Sequence, residues 1–389
     1  MPPKEESNPS QGESRDSASW IVVGGPHPTA VKHDIFVDAP HIDVGVVGEG
    51  EDIFIQLLDW FANGGSIPDG VLHPDFPLGT AESPNIHKIV TPARDLLDNR
   101  RYKYPLAGQQ NIGTMITSRG CPFRCSFCDK SVSGSRWRAR SAQDVVDEME
   151  HMVYELGIQF INMYDDNFTL HRHRVMEICK EIERRDLQVV WKCEGRVDNV
   201  DREMLEAMER AGCVMIAFGV ESGNQESLEL LRKDINVEQT KQAFELMDTV
   251  GIRSLAYMIL GVPGESIEDV WKSIHFVRDI KADYVQFSSL SAMPGTSLAD
   301  HFSSGISVQN WLDADHDRKT ISTLNEEELQ QLMNQAWRSF YLRPKPLARL
   351  SRDIIRSGYW KEFGKGLRDA ILDNVYQVRS NNFWRASDA

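Results

Sequence analysis

Ser118-Arg119-Gly120-Cys121-Pro122-Phe123-Arg124-Cys125-Ser126-Phe127-Cys128 is the stretch around which the rest of the chain is organised. Its cysteines follow a C-x3-C-x2-C spacing, short enough for one loop to curl three thiolates toward a common point. Thiolates select soft metals, and cysteine runs at such spacings hold iron–sulfur clusters. A cubane normally takes four thiolates, and this loop offers three. Either a fourth ligand comes from elsewhere, or one iron stays open to a small molecule. A structural zinc loop is the alternative, with Asp129 as the fourth donor.

Outward from this loop, apolar runs and amphipathic periods alternate. Strands are expected at 112–117, 158–164, 189–193, 214–220, 252–260 and 284–288. Helices are expected between them, with Ser141 and Ser266 as N-caps, at 172–185 and 201–211, and from Asn236 to before Gly251. Six βα units with short loops describe a parallel sheet, as a barrel, an open barrel or a doubly wound sheet. Parallel folds build their sites at the C-terminal strand ends. Polar and glycine-rich residues collect there: the cysteines, then Tyr164-Asp165-Asp166-Asn167-Phe168, then Glu194-Gly195-Arg196. Gly219-Val220-Glu221-Ser222-Gly223, Gly261-Val262-Pro263-Gly264-Glu265 and Met293-Pro294-Gly295-Thr296 follow. Asp165 and Asp166 have a plainer reading as helix caps, Arg196 as a partner of Glu194 or Asp198, and Glu265 as a helix N-terminal charge. Cys179 reads as core and Cys213 as the far end of its strand, whereas Cys193 ends a strand near the mouth.

Upstream, Trp20 to Val23 reads as a buried strand ending in the tight loop Gly24-Gly25-Pro26-His27-Pro28. A second strand at 44–47, the turn Gly48-Glu49-Gly50-Glu51 and a helix at 52–61 complete a two-strand α/β fragment at 20–65. Residues 1–19 read as a disordered polar tail without the apolar core of a secretory signal. Residues 66–110 read as a proline-rich linker, 111–300 as the core and 301–389 as a helical extension.

The chain has 389 residues, 41% hydrophobic and 26% charged, so it can bury a substantial core. A net charge of −15 argues against a general nucleic-acid binder. Six cysteines are too few for a disulfide scaffold, and reduced thiolates fit a cytoplasmic location. From Arg338 onward there are eleven Lys/Arg against five Asp/Glu, interleaved with Tyr341, Tyr359, Trp360, Phe363, Tyr376, Phe383 and Trp384. That pattern reads first as helices closing one side of the barrel. Its functional reading is peripheral membrane contact or a surface for a large apolar substrate.

C-x3-C-x-aromatic-C, with Phe127 in the aromatic slot, resembles the signature of radical S-adenosylmethionine (SAM) enzymes. The resemblance implies a partial (βα)6 TIM-like barrel and a 4Fe-4S cluster on Cys121, Cys125 and Cys128, which are also the catalytic set. The open iron would chelate SAM and cleave it reductively to methionine and a 5′-deoxyadenosyl radical, with electrons from a donor such as flavodoxin or ferredoxin. It implies Asp165 and Asp166 near the SAM amino group, Arg196 and Ser222 at its carboxylate, and Glu221 at its ribose. Gly261 and Gly264 would lie against adenine. V-V-G-G-P-H-P-T-A followed by V-V-G-E-G-E resembles the last part of a Rossmann-like cobalamin-binding domain, without the D-x-H-x-x-G motif of some relatives. Cobalamin is therefore an expected further cofactor, and C-methylation or oxidative cyclisation of an apolar metabolite the expected reaction. A non-catalytic iron–sulfur protein and an iron–sulfur RNA-modifying enzyme are the alternatives from other classes.

Overall fold

The structure, a computed structural model, describes residues 19–106, 109–302 and 321–359. The chain divides into two compact units, 1–82 and 83–389.

The first unit runs β1 (Val22–Gly24), α1 (Pro26–Val31), α2 (Asp34–Asp38), β2 (Val44–Val46), α3 (Glu51–Asn63) and β3 (Val71–Leu72). β1 and β2 are parallel, and β3 adds antiparallel to β2. Ile53 and Leu57, one helical turn apart on α3, pack on Val44, Val46 and Val71. Three details differ from expectation. The first strand is Val22–Gly24 and only half-buried, with Trp20 and Ile21 exposed. Gly24 to Pro28 is not a tight loop throughout, because Pro26 opens a helix at a position where its missing N–H costs nothing. The proline-rich stretch also contributes a strand, β3.

The second unit opens with short 3-10 turns at Ile86–Lys88, Arg94–Leu96 and Asn99–Arg101, followed by the hairpin of β4 (Lys103–Tyr104) and β5 (Gln109–Gln110). Then come β6 (Ile112–Met115), β7 (Ser118–Arg119), β8 (Arg138–Ala139), α4 (Ala142–Tyr154), β9 (Phe160–Met163) and α5 (Arg172–Arg184). β10 (Trp191–Gly195), α6 (Arg202–Arg210), β11 (Cys213–Glu221), α7 (Gln225–Leu230), α8 (Val237–Val250) and β12 (Arg253–Leu260) continue the alternation. α9 (Ile267–Asp279), β13 (Tyr284–Ser289), α10 (Ser297–Phe302), α11 (Glu326–Tyr341) and α12 (Pro344–Ser357) follow.

Strands β6, β9, β10, β11, β12 and β13 form one parallel sheet in that spatial order, which is also their sequence order. A doubly wound sheet reverses its order at a switch point and carries helices on both faces. Here the order never reverses, so every crossover winds the same way. The helices line one face: Met149, Ile178, Met204, Phe244 and Ile274 pack with strand residues Ile161, Trp191, Ile216, Ala256 and Val285 in a single core. This is the partial (βα)6 barrel. The opposite, inner face carries a smaller cluster of Met215, Ala217, Leu255 and Tyr284, reached by Tyr104 of the β4–β5 hairpin. Alternation along each strand decides which side chain faces which way.

Side-chain caps mark the helix starts at Ser141, Asp201, Asn236, Ser266 and Asn325. The run Phe340-Tyr341-Leu342-Arg343-Pro344 ends α11, and its proline opens α12. Asp353 of α12 is fully buried and accepts from Arg253 and Tyr284, closing the N-terminal end of the strands. The tail up to residue 18 and the basic, aromatic stretch from Trp360 to Trp384 lie outside the described residues. No helix among the described residues is long and apolar enough to cross a membrane.

Candidate functional site

The cysteine loop is a closed hairpin rather than a free coil. β7 pairs antiparallel with β8, Ser118 opposite Ala139 and Arg119 opposite Arg138. Gly120 turns the chain with φ +83°, and a Cβ there would stand 2.3 Å from the Arg136 carbonyl oxygen. The loop is tied down in its middle. Ser126 N–H donates to Leu231 O at 2.9 Å, and its carbonyl accepts from Leu298 N at 2.9 Å. The base of the loop is held by Asp165, which is buried. Its carboxylate accepts from Thr117 N at 2.6 Å, Thr117 Oγ1 at 2.5 Å and Ser118 Oγ at 2.5 Å. Neither Asp165 nor Asp166 caps a helix. Asp166 accepts from Gly120 N at 2.8 Å, and burial raises its carboxyl pKa.

Burial, then Cys125 and Cys121, push the Cys128 thiol up to about 11. Burial raises Cys121 as well, with Cys125 adding to it. Among the described residues no three His, Cys, Asp or Glu side chains gather closely enough to ligate one metal ion. Asp129 is also engaged, accepting from Ser131 N at 2.8 Å and Ser131 Oγ at 2.9 Å. Three thiols on a pinned loop, Cys121 and Cys125 half-buried and Cys128 exposed, fit a cluster of iron cations.

Arg196, buried at the end of β10, reaches this loop. Its guanidinium stacks 3.6 Å from the Phe123 ring centroid, and Nη1 lies 3.8 Å from Cys125 Sγ. Asp198 binds it through two oxygens at 3.0 and 3.1 Å, and Nη2 donates to Lys233 O at 2.8 Å. Glu221 ends β11 with φ +64°, a conformation disfavoured for a side-chain-bearing residue. It pairs with Lys233 Nζ at 2.7 Å, and both are nearly inaccessible to solvent. Lys233 sits between Arg232 and Asp234, which also have positive φ, and lies 5.9 Å from the Phe127 ring centroid. Backbone strain at a buried ion pair is the pattern of a site whose geometry is over-determined. Phe127 packs with Leu231, Ile259, Val262, Leu290 and Leu298.

Other candidates point elsewhere. Ser222 Oγ lies 2.9 Å from Ser273 Oγ and accepts from Asn224 N, so its hydroxyl braces α9. Gly261 and Gly264 have φ +80° and +88°. Both oxygens of buried Glu265 are used within and beside that turn, by Ser227 Oγ, Gly261 N and Val262 N. Cys193 faces the helix-side core, next to Cys213. The structure thus gathers Cys121, Cys125, Cys128, Asp166, Arg196 and Phe127 around one loop, with Glu221 joined through Lys233. Asp165 lies below that loop and Ser222 behind its strand.

Sequence reasoning missed Phe123, Lys233 and the pair Lys192–Glu194. The signal for the last was available. In Trp191-Lys192-Cys193-Glu194-Gly195-Arg196 every second residue is charged, so Lys192, Glu194 and Arg196 share one strand face.

Residues 115–277 match the family model described as the Radical SAM superfamily. An uncharacterized methyltransferase of Pyrococcus horikoshii is 33% identical over 341 residues, covering 84% of this chain and 73% of its own length. An anaerobic magnesium-protoporphyrin IX monomethyl ester cyclase of Rubrivivax gelatinosus is 29% identical, over 74% of this chain but only 54% of the cyclase. Among solved structures, the radical SAM methyltransferase TsrM of Kitasatospora setae, with cobalamin and a [4Fe-4S] cluster bound, is similar in fold. Its TM-score is 0.59 at 23% identity, over 71% of this chain and 56% of that one. This chain therefore spans little more than half the length of the cyclase and of TsrM.

Proposed function

Since the chain belongs to the radical SAM superfamily, we propose that it binds a 4Fe-4S cluster through Cys121, Cys125 and Cys128 and cleaves SAM reductively there. The observation that carries this reading is the pinned hairpin that holds the three cysteines, with Arg196 against Cys125. The chemistry supplied at such a site is one-electron cleavage of SAM to methionine and a 5′-deoxyadenosyl radical. The chain's own part is to hold, orient and exclude water. Asp165 fixes the loop base, Phe123 and Phe127 cover it, and Arg196 turns its Nη1 toward the loop while Asp198 and the Lys233 carbonyl hold its other donors. Asp166 and the Glu221–Lys233 pair are the nearest groups for an ammonium and a ribose diol. Gly264 leaves its side of the turn open for close approach of a flat ring, whereas Gly261 is covered by Ser322 and Leu329.

Within the superfamily, we infer the cobalamin-linked branch, C-methylation or oxidative cyclisation of a largely apolar metabolite, and a cytoplasmic flavodoxin or ferredoxin as electron donor. The support is the likeness to a methyltransferase and a cyclase, together with the glycine turns of the first unit. The test is anaerobic. Protein reconstituted with iron and sulfide receives dithionite and SAM, with and without hydroxocobalamin, beside Cys125→Ala. Wild type is expected to release 5′-deoxyadenosine and the variant none. S-adenosylhomocysteine that forms only with hydroxocobalamin marks methyl transfer. A full cluster without either product overturns the reading in favour of a structural cluster.

A further inference from the structure

The end of the barrel opposite the cysteine loop concentrates positive charge that the proposed chemistry does not use. Between Arg338 and Tyr359 there are six Lys/Arg against one Asp, in a chain whose net charge is −15. That one acid, Asp353, is turned inward and accepts from Arg253 and Tyr284 at the starts of β12 and β13. The cations are turned outward. Along α12, Lys345, Ala348, Arg352 and Ile355 are exposed at positions i, i+3, i+7 and i+10, which is one helical face. Arg338, in the last turn of α11, and Lys281, in the turn between α9 and β13, are exposed as well. These elements meet at one end of the sheet. Tyr341 of α11 bonds Val285 near the start of β13, Arg349 of α12 pairs with Asp283 just before that strand, and α9 leads directly into it.

A helix favours cations in its last turn, where the backbone dipole is negative, and that accounts for Arg278 on α9 and Arg338 on α11. It does not account for the start of α12. Arg343 is the N-cap there and Lys345 lies in the first turn, with no acid beside them, so both sit where the dipole opposes them. Arg343 also faces a like charge: burial and then Arg278 lower its guanidinium pKa, and Asp279 offsets this only in part. Lys281, Arg338, Lys345 and Arg352 form no side-chain hydrogen bond or ion pair with any described residue. Apolar side chains accompany these cations. Trp337 and Leu342, the chain neighbours of Arg338 and Arg343, are exposed, and exposed Ile355 shares the α12 face with Arg352. Exposed aliphatic groups gain nothing from a phosphodiester strand, whereas the headgroup–acyl boundary of a bilayer takes cations and apolar side chains together.

We propose that this end of the barrel is a docking surface for anionic lipid, and that the protein rests on a bilayer through it without inserting a helix. No helix among the described residues is long and apolar enough to cross a membrane. The acidic remainder of the chain does not prevent such contact, because exposed charges farther off than about 10 Å are largely screened at about 0.1 M salt. The cysteine loop follows β6 at the opposite end of the strands, so a bilayer here leaves the loop, with Cys128 exposed, clear of the lipid. The proposal stands independently of the radical reading.

The experiment is vesicle flotation of the full chain, with vesicles of phosphatidylcholine alone and of phosphatidylcholine mixed with phosphatidylglycerol, at low and at high salt. Each cation at an anionic surface supplies roughly fivefold in partitioning, so mixed vesicles are expected to bind the protein at least about tenfold more strongly than neutral ones. High salt is expected to remove most of that difference. Lys345→Glu/Arg352→Glu is expected to lower partitioning to mixed vesicles at least about tenfold. Lys180→Glu/Lys241→Glu makes the same change of charge at exposed positions of α5 and α8 and is expected to leave partitioning within about twofold. Leu342→Ser/Ile355→Ser is expected to weaken binding severalfold at either salt. All these side chains are exposed, and circular dichroism checks that each variant folds. Equal binding to neutral and mixed vesicles, no binding to either, equal losses in the two charge-reversed variants, or undiminished binding of Leu342→Ser/Ile355→Ser overturns the proposal. A polyuridylate strand that binds more tightly than mixed vesicles overturns it in favour of a nucleic-acid surface.

Discussion

Asp165→Ala separates a carboxylate that builds the cysteine loop from one that binds ligand. Asp165 accepts three hydrogen bonds, two from Thr117 and one from Ser118, all buried. Hydrogen bonds to a charged partner contribute roughly 1.5 kcal/mol or more each, so their joint loss costs about 4–5 kcal/mol. Arg174 adds to this. It donates to Thr117 O at 2.9 Å, its Nη1 has no partner, and Asp165 is the charge that most favours its ionised form against burial. The assay is urea denaturation of the cluster-free protein, read as the shift in midpoint at unchanged slope. The expected result is a loss of about 4 kcal/mol, with iron bound per chain falling in step because the loop base is no longer held. Asp165→Asn keeps one acceptor oxygen and is expected to lose about half as much. A loss under about 1 kcal/mol together with abolished SAM affinity would refute the reasoning, because the carboxylate would then be serving ligand rather than Thr117 and Ser118.

Three further outcomes follow from the same geometry. Gly120→Ala puts a Cβ 2.3 Å from the Arg136 carbonyl at φ +83°, so the hairpin opens; iron and sulfide per chain after reconstitution should fall severalfold, while helix content by circular dichroism is retained. Glu221→Gln leaves Lys233 charged and buried without its partner; about 3–5 kcal/mol should be lost, against a smaller loss for Glu221→Gln/Lys233→Met, as thermal denaturation of both would reveal. Burial raises the Glu265 carboxyl above its ordinary 4.5. Its contribution to stability is therefore full below 4.5 and lost as pH rises through the folded value. Wild type should weaken relative to Glu265→Gln between pH 4.5 and 7.5 in paired urea titrations, and a constant difference would contradict the assignment.

Much of the architecture was legible because its determinants are local. The caps at Ser141, Ser266 and Asn325 act within three residues, and the apolar periods of α4 and α5 are read one turn at a time. The cysteine spacing and Phe127 likewise name their chemistry inside eight residues. Gly24 to Pro28 misled because glycine and proline signal a turn and a helix start equally well, and only packing chooses between them.

The site was legible as a list of strand ends and not as a set of partners. Asp165 chose Thr117 and Ser118, Arg196 chose Asp198, Phe123 and Cys125, Glu221 chose Lys233, and Ser222 chose Ser273. Most of these contacts join residues far apart in the chain, and many alternative partners of the same chemistry compete for each. The sequence by itself determined the metal chemistry, the six βα units and the charged alternation on β10. Tertiary structure alone decided that the sheet winds one way, and which strand face became the inner one. It also decided which polar groups were consumed in holding the loop. The reason is that burial penalises every unpaired polar group, so partners are assigned only when the whole sheet has closed around them.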